Sequence, residues 1–309
     1  MAVISSSGYI VDSEEEFQRL LTRPRIAVPT VLLCVAILCA FIASTALAVT
    51  GAIPMYWAFV LNTCCSYASY TVLHEASHGL VSTNRALNDW IGRVGFLMVT
   101  LTPFFRAYRF LHMTHHQHTN DPHRDPDYFC GQGRAWTLPL RWMFMDSAYV
   151  STYFKPGCYS ARPTGEKVEF WLSMLLGASI VTVVVVMGWL VPFLVLYLIP
   201  TRVSLFFLAI TFDYLPHFPH TSTAEGNKYR ATNNRIGMDW LFAPLCIGQN
   251  YHLSHHLYPG APFYRYKRVW LSRKTRHEAE NPALVMGWRL APAPGHLPAP
   301  PADYATTAG

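Results

Sequence analysis

Fourteen histidines stand in this 309-residue chain, and most of them cluster. His74 and His78 are spaced i, i+4; His112, His115 and His116 are spaced i, i+3, i+4; His252, His255 and His256 repeat that second spacing. On a helix these intervals project side chains from one face. Eight imidazoles in three such groups are difficult to explain as packing, because each buried ring needs polar partners and is costly without them. They are readily explained as metal ligands. Imidazole suits Zn, Cu, Fe and Ni, so ligand type alone leaves the metal open. His74-Glu75-Ala76-Ser77-His78 also matches HExxH, which in a zinc hydrolase supplies two ligands and a general base. A catalytic zinc needs only three protein ligands, however, and would leave six clustered histidines without a role. A bundle-type di-iron site needs two Glu-x-x-His motifs, and only Glu75 and His78 form one.

The elements that must carry these groups are apolar. The chain is 51% hydrophobic and 14% charged, outside the usual balance for a soluble domain. No Lys, Arg, Asp or Glu occurs between Arg25 and His74, nor from Phe170 to Thr201. Crossing a bilayer core takes about 20 apolar residues in a helix. Each run therefore predicts two crossings joined by a turn: 26–50 and 52–73 around Gly51, then 170–187 and 190–211 around Gly188. The turns lack Lys and Arg, so the cation bias predicts both termini, the central segment and every histidine on the cytoplasmic side. Segments 88–105 and 134–154, apolar but interrupted by Arg93, Arg106, Arg141 and Asp146, read as interfacial or re-entrant. Arg202, about two turns from the end of its span, reads as a snorkelling cation.

Other classes fit poorly. Seven cysteines without a CxxC do not make a disulfide framework, and a net charge of +6 flanking spans suits anionic headgroups better than nucleic acid. The first apolar run starts too late and runs too long for a secretory signal. The predicted fold class is thus all-α integral membrane: two transmembrane helical hairpins, four spans, and a cytoplasmic helical cap carrying the histidines. Its expected divisions are a cytoplasmic segment 1–25, a membrane domain 26–270 and a tail 271–309. The Pro- and Ala-rich stretch 291–309 is expected to be disordered.

The three groups, HEASH at 74–78, HMTHH at 112–116 and HLSHH at 252–256, with a hairpin between the second and third, resemble the histidine boxes of the membrane fatty acid desaturase and hydroxylase superfamily. FDYLPHFPH at 212–220 and GQNYHLSHHLYPGAPFYRY at 248–266 resemble its bacterial branch of carotenoid hydroxylases and related desaturases. The resemblance implies two iron ions held by eight or nine histidines, O2 as co-substrate, and oxidation of a fatty acyl chain or a carotenoid to an alkene or an alcohol. It also implies electrons from a separate donor, ferredoxin or a cytochrome b5-type protein with its reductase. The expected ligands are His74, His78, His112, His115, His116, His252, His255 and His256. A ninth comes from just after the last span: His217, four residues beyond Asp213, or His220. His118, His123, His277 and His296 match no box and read as surface or supporting residues. Carboxylates should hold the second nitrogen of ligating rings. Glu75, Asp121, Asp125, Asp127 and Asp213 are near enough, with Asp121 and Asp213 favoured and Asp125, before Pro126, reading as a turn. Asn250 is a candidate for contact with a metal-bound water or for a helix cap.

Overall fold

The computed structural model describes residues 3–4 and 9–293. Two short strands, β1 (Val3–Ile4) and β2 (Ile10–Val11), pair antiparallel before α1 (Glu14–Leu21). Ser13 caps α1 by accepting from the Glu16 backbone N–H, and three glutamates occupy its first turn, where the helix dipole favours negative charge. The chain then rises through α2 (Val28–Val49), turns at Thr50 and Gly51, and returns through α3 (Met55–Ser77). Gly51 sits at φ +76° with open space around it, a left-handed turn that glycine adopts without strain. A second hairpin is formed by α8 (Thr164–Val186) and a long helix, α9 (Leu190–His217), joined at Gly188 at φ +70°.

Three of these helices, α2, α8 and α9, are long and apolar enough to cross a membrane. The helix α3 is as long, and α2 packs along it, but it carries Asn62, Ser66, Ser69, Thr71, His74 and Glu75, all buried. It is the innermost of the four, and its polar face points at protein rather than lipid. Asn62 shows how such a group is tolerated at depth. Its carbonyl accepts from Ser44 Oγ at 2.5 Å, and its amide donates to Thr45 Oγ1 at 3.1 Å and to the Leu196 carbonyl at 2.7 Å. One side chain thus ties α2, α3 and α9 together with its hydrogen bonds satisfied. Leu196 lies in a π-helical stretch, Leu194–Leu198, and a second one, Ala209–Tyr214, precedes His217.

Shorter helices cover one end of the two hairpins. These are α4 (Arg85–Leu97), α5 (Phe105–His118), α6 (Leu138–Met143) and α7 (Met145–Tyr153). Gly92 lets α4 nest against its neighbours, since a Cβ there would stand 2.4 Å from the Phe105 ring and 2.7 Å from Ala76. Arg202 corrects the snorkelling expectation: its guanidinium makes two 2.8 Å hydrogen bonds to Asp146 of α7, which also accepts from Thr100 Oγ1. A charge inside a span needs an opposite charge more than it needs an escape route.

The remaining chain forms β3 (Asn234–Ile236), α10 (Asp239–Leu245), α11 (His252–Leu257), α12 (Tyr266–Ser272), α13 (Lys274–Ala279) and β4 (Leu284–Met286), with β3 and β4 parallel. Residues 271–293 fold back onto the rest of the chain, with Ser272, His277, Ala283 and Val285 buried. Arg273 pairs with Glu14, and His277 is buried, stacked 4.6 Å from Trp270 and bonded to Tyr229. The expected disorder of the last residues, and His296, fall outside the described part.

Candidate metal centre

Three helices end at one place. The last turn of α3 brings His74 and, at its C-cap, His78; the last turns of α5 bring His112, His115 and His116; the end of α9 brings His217. Helix C-termini carry partial negative charge, so their convergence favours a cation. The fourth contributor, α11, inserts His252, His255 and His256.

Nine imidazoles sort into two adjoining sets. His74, His78, His112, His116 and His255 form one, and His115, His217, His252 and His256 the other, with ligand nitrogens in each set within 4.8 Å of one another. The closest pairs are His78 Nε2 to His112 Nε2 at 2.9 Å, His116 Nε2 to His255 Nε2 at 3.0 Å, His217 Nε2 to His252 Nε2 at 3.1 Å, and His252 Nε2 to His256 Nε2 at 3.0 Å. Ligand nitrogens about 2.1 Å from one metal and at right angles lie about 3 Å apart. Both ring nitrogens of His74 and Nδ1 of His217 are buried without a hydrogen-bond partner, a costly arrangement unless something else engages them. The donor set therefore fits two metal ions. Boxes two and three are split between the sets: adjacent histidines of one box fall in different sets.

The outer nitrogens are held from behind. His115 Nδ1 meets Asp125 Oδ1 at 2.8 Å and Asp127 Oδ2 at 3.3 Å; His252 Nδ1 meets Gln249 Oε1 at 2.9 Å; His255 Nδ1 meets the Tyr266 hydroxyl at 2.9 Å; His256 Nδ1 lies 3.3 Å from Thr119 Oγ1. Burial keeps His112, His116, His252, His255 and His256 well below the usual imidazole range, hence neutral and able to ligate. His115 differs. Burial pulls it down, but the charges of Asp125 and Asp127 outweigh that and lift it to about 9. Burial and Asp125 together raise Asp127 to about 6 against the pull of His115. A metal cation held there would take the place of the His115 proton, and the carboxylates would then strengthen that ring as a donor.

The expected supporting residues are placed unevenly. Asp213 is buried and within electrostatic reach of His115 and Asp127. Asp121 is not at the centre: it accepts from the backbone of His123 and Arg124 and pairs with the Arg124 guanidinium. Its place is taken by Asp125 and Asp127, which Pro126 turns inward. Asn250 is buried, its amide donates to the Arg235 carbonyl, and its Oδ1 has no hydrogen-bond partner. His220, which stands against Gly131, belongs to neither set, and His118 pairs with Glu225. Gln249 precedes His252 by three residues, a spacing that could have revealed it; Tyr266 and Thr119 carry no such signal. Glu75 accepts from the Phe263 N–H at 3.1 Å and the Tyr266 hydroxyl at 3.3 Å. Its Oε1 thereby braces box three through Tyr266, while Oε2 is buried without a hydrogen-bond partner.

On the side of the spans the imidazoles meet an aromatic layer. Tyr70 and Tyr108 share a 3.0 Å hydrogen bond, Phe212 lies 4.7 Å from Tyr70, and an enclosed void of about 20 Å³ is lined by Tyr70, Tyr108, Tyr149 and Asp213.

Comparison with known proteins agrees with this geometry. The fatty acid desaturase family matches residues 51–289. Dihydrorhizobitoxine desaturase of Bradyrhizobium elkanii is 25% identical over 239 residues, covering 67% of this chain and 62% of that protein. Beta-carotene 4-ketolase 3 of Haematococcus lacustris is 27% identical over 203 residues, covering 63% and 56%. An sn-1 acyl-lipid omega-3 desaturase (ferredoxin) of Synechocystis is 24% identical over 273 residues, covering 78% and 70%. The matched part spans less than two thirds of the first two relatives.

Proposed function

Since the chain belongs to the fatty acid desaturase family, we propose that it is an O2-dependent, non-haem di-iron oxidoreductase that desaturates or hydroxylates a membrane lipid. The reading rests on one observation above the others: two adjoining sets of five and four imidazoles with nitrogen spacings of about 3 Å. Five and four donors leave both ions short of six ligands, with room for oxygen. Relatives named as acyl-lipid desaturases and carotene ketolases support a fatty acyl chain or a carotenoid as substrate. The one named with ferredoxin supports a separate electron donor.

Bound iron would supply, with O2 and two electrons, the oxidising power needed at an unactivated C–H bond. The protein's part is positioning and exclusion of water. His74, His78, His112, His116 and His255 would hold one ion; His115, His217, His252 and His256 the other. Asp125, Gln249 and Tyr266 fix the ring directions through the outer nitrogens. Tyr70, Tyr108 and Phe212 form a dry floor towards the spans, where an apolar chain can approach without water.

The same reading gives four spans, α2, α3, α8 and α9, with both termini and the histidine centre on the cytoplasmic side. In support, α3 runs antiparallel to α2, and all nine imidazoles lie at one end of the hairpins. A zinc hydrolase built on HEASH is disfavoured by the number of ligands, nine imidazoles against the three a catalytic zinc needs. Purified, detergent-solubilised protein should carry about two irons per chain, and expression in hosts supplying acyl lipids or carotenoids should yield an oxidised lipid by mass spectrometry. One tightly bound zinc and no iron would overturn the reading.

A further inference from the structure

A groove of about 1110 Å³ runs along α4 and the first turns of α8, and His78, half-buried, forms part of its wall. Its two ends differ in chemistry. One is lined by Arg23, Arg85, Arg93, Arg106 and Arg109 against two carboxylates, Asp89 and Glu169, an excess of three positive charges. The other is lined by Leu97, Leu172 and Leu176, and on α8 the two leucines are exposed along the face that a spanning helix turns to lipid.

The cations are not all committed to each other's neighbours. Glu169 takes Arg93 at 2.5 Å and Arg106 at 3.2 Å, and Asp89 takes Arg109. That leaves Arg23, whose guanidinium donates to the Ser82 carbonyl, and Arg85, which among the described residues has no carboxylate partner. Arg85 also stands in the first turn of α4, a 13-residue helix whose amino end opens on the groove through Thr83, Arg85 and Ala86. Asn84 caps the Leu87 N–H, and the helix dipole with the remaining first-turn N–H groups favours an anion at that end.

We propose that this groove seats the phosphate of an anionic membrane phospholipid at its cationic end, where His78 stands, with the acyl chain along the apolar end lined by Leu97, Leu172 and Leu176. The proposal rests on the lipid-oxidising reading above and narrows its substrate. A carotenoid hydrocarbon offers nothing to the arginines, and a zwitterionic headgroup brings its own cation into a site already three charges positive. The lateral opening between α4 and α8 favours a lipid arriving from the bilayer over a water-soluble phosphate ester.

Native mass spectrometry of the full chain in mild detergent, titrated with phosphatidylglycerol and with phosphatidylcholine, tests this directly. Phosphatidylglycerol should be retained at least about tenfold better. Replacing each free arginine should weaken its retention about fivefold, and Arg23→Gln with Arg85→Gln about 25-fold. Arg276→Gln, an exposed arginine outside the groove and paired with Glu14, should change nothing. In turnover assays the double variant should raise KM for phosphatidylglycerol-borne acyl chains by a similar factor while keeping its iron content. Equal retention of the two lipids, or unchanged retention in the double variant, would overturn the proposal. So would displacement of the lipid by glycerol phosphate at the same concentration, which would mark a site for free phosphate. If no lipid were oxidised at all, the functional reading would fall, while lipid retention would still decide the groove.

Discussion

Tyr266→Phe isolates one strut of the metal centre. The hydroxyl spans 2.9 Å to His255 Nδ1 and 3.3 Å to Glu75 Oε1, so its loss frees the ring of one ligand and leaves a buried carboxylate with the Phe263 N–H as its remaining donor. Leaving a buried polar group without one of its partners costs roughly 1–3 kcal/mol. Loss of a group that orients a ligating histidine typically lowers metal affinity by about 10- to 100-fold, which is the same range. Iron per chain, measured by elemental analysis after equilibration with graded chelator, should therefore show a midpoint 10- to 100-fold lower in chelator than the parent. Glu75→Gln should shift it in the same direction, and the double variant should fall short of the sum, because both act through His255. Thermal unfolding run in parallel separates packing from ligation. An unchanged chelator midpoint in a destabilised Tyr266→Phe protein would refute the strut. Full metal retention with complete loss of turnover in Glu75→Gln would instead mark Glu75 as a general base.

Three further outcomes are expected. His217→Ala should lose iron and turnover, whereas His220→Ala should keep iron; the reverse result would make His220 the ninth ligand. His277→Ala should lower thermal stability by about 1–3 kcal/mol, as for a buried polar side chain stacked in a core, with iron per folded chain unchanged; lost iron would tie it to the centre. Asp146→Asn should destabilise by about 3–5 kcal/mol by stranding Arg202, and Asp146→Leu with Arg202→Met should recover most of that. Failure of the pair to recover would show that Arg202 does more than balance a charge.

The clustered histidines were legible because their spacing is local. A helix places i, i+3 and i+4 together whatever the rest of the chain does, so the eight boxed histidines could be named from the sequence. Their division into two sets could not, since it depends on how α3, α5, α9 and α11 meet. The same limit hid Tyr266, which reaches His255 from the next helix, and Asp146, which lies 56 residues from Arg202. Asp121 is nearer to box two in sequence than Asp125, yet Asp121 pairs with Arg124 while Asp125 reaches back to His115. The four apolar runs looked alike as uncharged stretches, but α3 carries its Asn, Ser and Thr residues on an inner face, and only packing shows which helix is innermost. His277 looked solvated because the composition of the last residues obscured a folded stretch just before them.

Asn62 bears on how the protein is made. Two of its partners, Ser44 and Thr45, belong to its own hairpin, but the Leu196 carbonyl is supplied 134 residues later. On the four-span reading proposed above, the first hairpin enters the bilayer with one amide N–H of Asn62 still waiting for the Leu196 carbonyl. In hydrocarbon such a group costs several kcal/mol. The early hairpin is thus an unfinished tenant of the membrane until α9 arrives, and its residence there depends on the translation and insertion of the second pair keeping pace.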